Sequence, residues 1–228
     1  MALSFWRDGG AAVEWQVLLL KLTEGMLISV EIFSLTLLFS LPLGLFVAFG
    51  RMSRNPLLRN SIKIYISLMR GTPLMLQLMV VYFGPFFIFG ITTPRGYRFL
   101  AVIIGFVLNY AAYFAEIYRA GIESMPIGQY EAAKVLGYNR TQTFIRIILP
   151  QVVKRILPPV TNEVITLVKD TSLAFVISVS EMFTAAKAIA SAQRSVIPFV
   201  AAGIFYYIFN YIVAYFMEWV EHKFNYFK

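Results

Sequence analysis

The chain has 228 residues, of which 59% are hydrophobic and only 14% are charged, and its formal net charge is +8. So few charges cannot cover a soluble domain of this size, so the composition excludes a soluble globular protein and indicates a chain embedded in lipid. The positive charges lie at the ends of apolar segments instead of forming one stripe. We therefore interpret them as signals of membrane topology and expect no nucleic-acid partner.

Five segments are long and apolar enough to cross a bilayer as helices, which takes about 20 residues each. In chain order they are Gly25–Gly50, Ser61–Ile91, Phe99–Gly121, Pro158–Val179 and Val196–Val220. The sequence therefore predicts an all-α integral membrane protein with five transmembrane helices, forming one transmembrane domain over residues 1–228. The polar segment 122–157 is predicted to be a loop outside the bilayer.

The distribution of Lys and Arg predicts the orientation, because these residues are enriched in cytoplasmic loops. The larger set lies in the loop after the first span, in segment 122–157 and at the C-terminus: Arg51, Arg54, Arg59, Lys63, Lys134, Arg140, Arg146, Lys154, Arg155, Lys223 and Lys228. The smaller set lies on the other side: Arg7, Lys21, Arg95, Arg98, Lys187 and Arg194. We expect the loop 122–157 and the C-terminus in the cytoplasm, and the N-terminus outside.

The second apolar segment carries an interruption. Gly71 and Pro73 break its helical pattern, and Pro73 disfavours helical geometry at Thr72. A broken helix at membrane depth persists where the freed backbone lines a cavity or packs against protein. Because transporters place substrates near such breaks, Thr72 is a candidate residue of a substrate pathway.

The fourth apolar segment carries three charges, Glu163, Lys169 and Asp170. A charge facing lipid is costly, so these residues should face a bundle interior or an aqueous cavity. They either line a substrate pathway and hold a zwitterion, or form a polar network that fixes helix packing, with Lys169 extended to the headgroups. Arg70 and Arg119 are expected near the inner membrane interface with their charges extended to water.

The sequence lacks the common catalytic motifs. It contains no GxxxxGK[ST], HExxH or GxSxG, so it has no signature of a nucleotide-phosphate loop, a zinc protease or a hydrolase. It has no cysteine, and its single histidine, His222, is expected to be a solvated surface residue. We predict that the chain is not an enzyme, holds no metal or other cofactor, and receives the energy for any work from a partner.

Segment 131–150 reads EAAKVLGYNRTQTFIRIILP. It predicts a short helix with Glu131 in its first turn, where a negative charge suits the helix dipole, and with Gly137 as a left-handed C-cap. Ala132 and Ala133 are small enough to let another surface approach closely. A second helix is predicted over Arg140–Leu149, and it should stop at Pro150.

The spacing of this segment, Glu-Ala-Ala, then Gly137, then Ile-x-Leu-Pro, resembles the EAA loop of the permease subunits of ABC importers. The resemblance implies that the loop docks in a groove on a separate cytoplasmic ATPase and transmits its closure to the membrane helices. The residues that carry this implied coupling role are Glu131, Ala132, Ala133, Gly137, Leu149 and Pro150.

Further segments, within about residues 65–185, resemble the polar amino-acid branch of these permeases, which takes up histidine, glutamine or arginine. They are Arg70–Leu74 with Gln77-Leu78, residues 111–122, Gly128-Gln129, residues 158–163 and residues 167–173. The resemblance implies a type I ABC importer permease fold and transport of a polar amino acid, and Glu163 hints at a cationic one. The substrate-pathway residues are then Thr72, Gln77, Asn162, Glu163, Lys169, Asp170 and Ser172.

The same resemblance implies the partners and the location. They are a cytoplasmic ATPase dimer that holds ATP and magnesium, a second permease (identical or paralogous), an extracytoplasmic amino-acid-binding protein, and the bacterial plasma (inner) membrane. The alternatives are a permease for another small polar solute such as an opine or cystine, and a channel or secondary transporter that needs no ATPase. An intramembrane enzyme is disfavoured by the missing motifs.

Overall fold

The computed structural model of the chain describes residues 15–94 and 96–224. Arg7, Arg95 and Lys228, which contribute to the predicted orientation, lie outside the described residues. Within those two ranges the chain is helical throughout, with short turns and no β-strand. The predicted all-α class is confirmed.

Nine α-helices follow one another along the described chain. They are α1 (Trp15–Arg51), α2 (Pro56–Gly71), α3 (Leu74–Phe89), α4 (Tyr97–Glu123), α5 (Ile127–Val135), α6 (Arg140–Thr143), α7 (Leu149–Asp170), α8 (Met182–Gln193) and α9 (Ile197–Lys223). A π-helical turn, Phe144–Ile148, joins α6 to α7, and a 3₁₀ helix, Thr171–Ile177, follows α7.

Three described helices, α1, α4 and α9, are long and apolar enough to cross a membrane as single helices, and the number rises to five if each of two bent helix pairs counts as one crossing. The first pair is α2 with α3, and the second is Arg140–Ile177 with α8. The five predicted segments therefore correspond to these three helices and two bent pairs.

The second and fourth predicted segments differ from straight helices. The second is interrupted at Thr72 and Pro73, where α2 ends and α3 begins, as the proline predicts. The fourth does not begin at Pro158, because α7 starts at Leu149 and passes through Pro158 and Pro159 without ending.

The expectation that Pro150 stops the helix begun at Arg140 is wrong. Pro150 is the second residue of α7, directly after the π-helical turn. A proline inside a helix removes one hydrogen bond to the preceding turn, and here that turn is π-helical, with a wider hydrogen-bond spacing than an α-helix. The helical path therefore continues through this proline.

The described residues divide into two compact units. Of the described residues, the first comprises 15–35, 75–94, 96–104 and 167–212, and the second comprises 36–74, 105–166 and 213–224. In the first unit a buried cluster joins α1, α8 and α9: Leu18, Leu22, Met182, Ala186 and Ala202. In the second unit a buried cluster joins α1, α2 and α4: Ala48, Ile66, Ala112 and Ala115. Most of these residues are small, as expected where helices pack closely in a membrane.

The three long helices differ in burial. In the most apolar window of each, 61% of α4 is buried in the protein, against 28% of α1 and 22% of α9. Many large apolar side chains on α1, α3 and α9, such as Phe46, Phe87 and Tyr207, are exposed. Such surfaces suit lipid as the solvent, so α4 is an inner helix and α1 and α9 face the bilayer.

A tyrosine completes the hydrogen bonding of the backbone within the first unit. Pro85 lies inside α3 and has no N–H to offer the carbonyl of Val81, four residues earlier. The hydroxyl of Tyr97 donates to the oxygen of Val81 at 2.8 Å instead. The first residue of α4 therefore satisfies the carbonyl that a proline frees in α3.

We expect Tyr97→Phe to lower the free energy of unfolding by about 1 kcal/mol, the net value of one such hydrogen bond. Thermal unfolding of the purified protein in detergent measures this change. Tyr207→Phe, which removes a hydroxyl from an exposed side chain, is the matched control and should have no effect. Adding Pro85→Ala to Tyr97→Phe should restore part of the loss, because an alanine at this position would supply the missing N–H. An unchanged unfolding temperature in Tyr97→Phe would contradict this account.

Candidate coupling segment and internal cavity

The helix α5 ends in a compact turn that requires glycine. Gly137 has a φ angle of +80°, its N–H donates to the oxygen of Lys134 at 3.1 Å, and the N–H of Tyr138 donates to the oxygen of Ala133 at 3.0 Å. This pair of bonds is the Schellman motif, in which a left-handed residue closes a helix. The prediction of Gly137 as a left-handed C-cap is confirmed.

The next helical turn starts just as sharply. The side chain of Asn139 accepts from the N–H of Gln142 at 2.9 Å, and the side chain of Gln142 accepts from the N–H of Asn139 at 3.0 Å. This reciprocal capping box fixes the start of α6. Only Tyr138 separates the glycine turn from this cap, so the corner between α5 and α6 is fixed on both sides.

Two details of this segment differ from expectation. Glu131 is not in the first turn of its helix, because α5 already begins at Ile127. Ala133 is 1% exposed, so it packs inside the chain and offers no surface to a partner, whereas Ala132 is exposed. Glu131 and Gly137 are exposed too, Leu149 is 37% exposed, and Pro150 is half-buried.

The outer surface of α5 and of its closing turn is unusually apolar for a polar segment. Ile127 is 72% exposed, Val135 is 88% exposed and Leu136 is 72% exposed. The inner side of the segment rests on a separate buried cluster, formed by Met125, Ile148 and Val152. The segment is therefore a supported element that presents apolar side chains outward next to the acidic Glu131.

A cavity of about 510 Å³ that is open to the surface lies in the second unit, lined by side chains of α2, α4, the turn after α4 and α7. Its charged lining residues are Arg70, Glu116, Arg155 and Glu163. Tyr113, Ser124 and Pro159 are among the uncharged ones. Two cations and two carboxylates therefore share one space that is large enough for a small molecule.

Both cations that line this cavity, Arg70 and Arg155, contact neighbouring groups. The guanidinium of Arg70 lies 5.2 Å from the centre of the Tyr113 ring, within range of a cation–π interaction. Arg155 donates to the backbone oxygen of Ser124 at 2.9 Å and to its hydroxyl at 3.1 Å.

Arg119 does not merely extend to water as expected. Its guanidinium pairs with the carboxylates of Glu116 and Glu123, one turn before and one turn after it on α4. The pair with Glu116 is about three-quarters buried on both sides, and Glu116 also lines the cavity. The sequence carries a signal of this pairing in the i, i+3 and i, i+4 spacing of the three charges.

The structure places the predicted pathway residues in both units. In the second unit, Glu163 lines the cavity, while Asn162 is exposed and the exposed Thr72 donates its hydroxyl to the oxygen of Leu68 at 2.8 Å. The other four, Gln77, Lys169, Asp170 and Ser172, belong to the first unit. There Gln77 is buried, Lys169 is exposed, and Ser172 donates its hydroxyl to the oxygen of Lys169 at 2.8 Å.

Sequence reasoning missed one buried carboxylate. Glu181 is 0% exposed and forms the N-cap of α8, where it accepts hydrogen bonds from the backbone N–H groups of Phe183 and Thr184. Ser, Thr, Asp and Asn are the usual N-cap residues, so a glutamate in an apolar segment gave little signal.

In the part of the chain that the structure describes, no group of three or more His, Asp or Glu side chains is placed to hold a metal ion. His222 is exposed, as predicted, and lies with Lys154, Glu218 and Glu221 around a small cavity of about 170 Å³.

Comparison with known proteins gives consistent matches. The sequence profile of the family described as binding-protein-dependent transport system inner membrane component matches residues 40–226. The chain is 40% identical over 202 residues to the L-cystine transport system permease protein TcyL of Bacillus subtilis (strain 168), covering 87% of this chain and 83% of that protein. It is 41% identical over 186 residues to the octopine transport system permease protein OccM of Rhizobium radiobacter, covering 77% of this chain and 76% of that protein.

The fold also matches a solved structure. A crystal structure of an amino acid ABC transporter with histidines contains a chain that superposes with a TM-score of 0.82. The two sequences are 29% identical, and the match covers 92% of this chain and 96% of the other.

We expect Gly137→Ala to loosen the turn after α5, because a left-handed conformation costs a residue with a Cβ roughly 1–2 kcal/mol. Amide hydrogen exchange at residue 137 and at Tyr138 should become about tenfold faster, as mass spectrometry of peptides from this segment can measure.

Gly128→Ala is the matched control. Gly128 lies near the start of the same helix, and an added Cβ at either glycine would meet nothing within 4 Å, but only Gly137 has a positive φ. Exchange in Gly128→Ala should stay the same or slow down, since alanine favours a helix more than glycine does. Equal exchange in both variants would show that the left-handed turn does not hold the segment.

Proposed function

The chain belongs to the family of binding-protein-dependent transport system inner membrane components and is a permease subunit of an amino-acid ABC importer, and from this premise we propose that it moves a polar amino acid by alternating access. It is a multi-pass protein of the bacterial inner membrane. The observation that carries the proposal is the exposed apolar surface on a rigid EAA segment, described above.

The proposed coupling role belongs to Glu131, Ala132, Ala133, Gly137, Leu149 and Pro150. Of these, Glu131 and Ala132 lie on the exposed surface that would enter a groove of the ATPase, a helix-in-groove mode of recognition. Ala133 and Gly137 act within the chain instead, since one is buried and the other closes the turn. Leu149 and Pro150 begin α7, so they would receive the displacement of the segment.

The partners follow from this mechanism. A cytoplasmic ATPase dimer would bind ATP and magnesium, and this chain would contribute no cofactor of its own. Closure of the ATPases on ATP would draw the two coupling segments together and open the pathway outward. An extracytoplasmic binding protein would then deliver the amino acid, and hydrolysis would restore the inward-facing state. A second permease, identical or paralogous, completes the pair, and segment 122–157 with the C-terminus faces the cytoplasm.

The cavity of the second unit is the proposed substrate site. Its two cations and two carboxylates suit an amino-acid zwitterion, and this supports a substrate site within one subunit. Glu163 is the candidate partner of the substrate α-ammonium or of a cationic side chain. Arg70 and Arg155 are the candidate partners of the carboxylate.

The second candidate is a permease for cystine or an opine. The two relatives described above transport L-cystine and octopine, and both solutes also carry ammonium and carboxylate groups. A channel or secondary transporter without an ATPase would leave the EAA segment unexplained.

Copurification tests the proposed function first. The tagged permease should bring a cytoplasmic ATPase with it, and binding protein loaded with one amino acid should stimulate ATP hydrolysis. The panel should contain L-histidine, L-arginine, L-glutamine, L-cystine and octopine. Gly137→Glu should abolish uptake while the protein still inserts into the membrane, because the charge and the added Cβ both disrupt the coupling turn.

Gly96→Glu is the control for that variant. Gly96 also has open space where a side chain would lie and lacks a positive φ, but it is at the predicted outer side. It should retain uptake. A purified permease with no ATPase partner, or normal uptake by Gly137→Glu, would contradict the coupling proposal and favour a transporter that needs no ATPase.

We expect Glu163→Gln to raise the KM for uptake by about tenfold, the scale of losing one hydrogen bond to a charged group. Uptake into proteoliposomes that contain the complete complex measures KM and the maximal rate separately. Glu24→Gln changes an exposed carboxylate that pairs with Lys21 on the same helix, and it should leave KM unchanged. An unchanged KM in Glu163→Gln would count against a substrate contact.

A further inference from the structure

One buried polar cluster of the first unit has no part in the coupling segment or the cavity. We call it the Tyr206 junction, and it comprises Ser29, Thr171, Glu181, Thr184 and Tyr206. Glu181, Ser29 and Thr171 are each 0% exposed. Burying a carboxylate in an apolar bundle costs free energy unless hydrogen-bond donors satisfy it. The positions of the donors to Glu181 therefore show which elements it connects.

Four uncharged donors surround the carboxylate of Glu181. One oxygen accepts from the N–H and the hydroxyl of Thr184 at 2.7 and 2.8 Å. The other accepts from the N–H of Phe183 at 2.6 Å and from the hydroxyl of Tyr206 at 3.1 Å. Three of these bonds cap α8, and the fourth ties that cap to α9.

Thr171, at the other end of segment 171–181, is also 0% exposed, and its hydroxyl donates to the oxygen of Val168 at 2.8 Å. Thr171 begins the 3₁₀ helix after α7, and Glu181 directly precedes α8. The phenol of Tyr206 on α9 therefore holds the end of segment 171–181 that leads into α8.

The first helix packs against the same point. A Cβ added to Gly25 would lie 2.7 Å from the Cα of Met182, so the backbones of α1 and α8 touch there. The N–H of Met182 also donates to the hydroxyl of Ser29 at 3.4 Å. Three helices of the first unit thus converge on the end of segment 171–181.

Within segment 171–181 the backbone is strained at one residue. Ser178 has a φ angle of +59°, which is unfavourable for a residue with a Cβ. The guanidinium of Arg98 donates to the oxygen of Ser178 at 3.1 Å and so holds the middle of the segment. A strained turn persists only where its surroundings determine it, and here the determinants are Arg98 and the Tyr206 junction.

We propose that Glu181 and Tyr206 are positioning residues for transport: by fixing the end of segment 171–181 to α8 and α9, they hold the 3₁₀ helix that follows Asp170 in a single conformation. An apolar residue could fill the space of Glu181, but it could not select one arrangement of three helices and a strained turn. This inference rests on the proposed function, in which Asp170 and Ser172 are candidate residues of the substrate pathway. A fixed 3₁₀ helix would keep these two residues in one position.

The test compares substrate movement with ATP consumption in proteoliposomes that contain the permease, its ATPase and its binding protein. The probes are radiolabelled L-histidine, L-arginine, L-glutamine and L-cystine. Tyr206→Phe should lower the number of molecules imported per ATP hydrolysed by about tenfold, the scale of one hydrogen bond to a carboxylate. The rate of ATP hydrolysis should stay close to that of the wild type. Glu181→Gln should lower the ratio at least as much, because its amide NH₂ would face donors.

Tyr207→Phe is the matched control, since Tyr207 follows on the same helix and is 72% exposed. It should leave the ratio unchanged. An unchanged ratio in Tyr206→Phe, a parallel fall of uptake and ATP hydrolysis, or a mere loss of folded protein would each overturn the inference and leave the junction as a packing element. A wild-type complex without ATP-driven uptake would instead overturn the proposed function, so the two failures are distinguishable.

Discussion

The need to satisfy every backbone hydrogen-bonding group without water is the constraint on which this structure depends. It explains why the described chain is helical. It also explains why side chains form hydrogen bonds with backbone groups where a buried helix starts or contains proline. The buried Glu181 caps the start of α8 with its side chain. Tyr97 reaches a carbonyl beside Pro85, and Tyr65 on α2 donates to the oxygen of Leu108 on α4. The positions of the helices thus follow from where these partners lie along the chain.

The sequence predicted the elements whose signals are local. Long apolar segments located α1, α4 and α9, and the pair Gly71 and Pro73 located the break between α2 and α3. Gly137 was recognisable because only glycine readily takes a left-handed turn at a helix end. The start of α7 was not recognisable, because the effect of Pro150 depends on its position in the helical turn.

The cavity and the Tyr206 junction depend on contacts between distant residues, which periodicity does not reveal. Arg70 and Glu163 come from α2 and α7, and their shared space exists only after α4 packs between the same elements. Glu181 gave no signal because its four donors come from its own helix start and from α9. Of the charged residues of the fourth segment, Glu163 lines the cavity, whereas Lys169 is exposed. Their division between two units could not be derived from their spacing.

The π-helical turn between the coupling segment and α7 has a geometric consequence for the EAA pattern. Each residue of an α-helix advances the direction of its side chain by about 100°, and a π turn accommodates one extra residue in the same helical path. The number of residues between Gly137 and Pro150 therefore sets the direction, around the axis of α7, in which the exposed face of α5 points. Inserting or deleting one residue there would keep every motif residue but rotate the exposed face of α5 by about 100° relative to α7. A fixed spacing in this motif thus fixes the orientation of the exposed face, in addition to the identity of the motif residues.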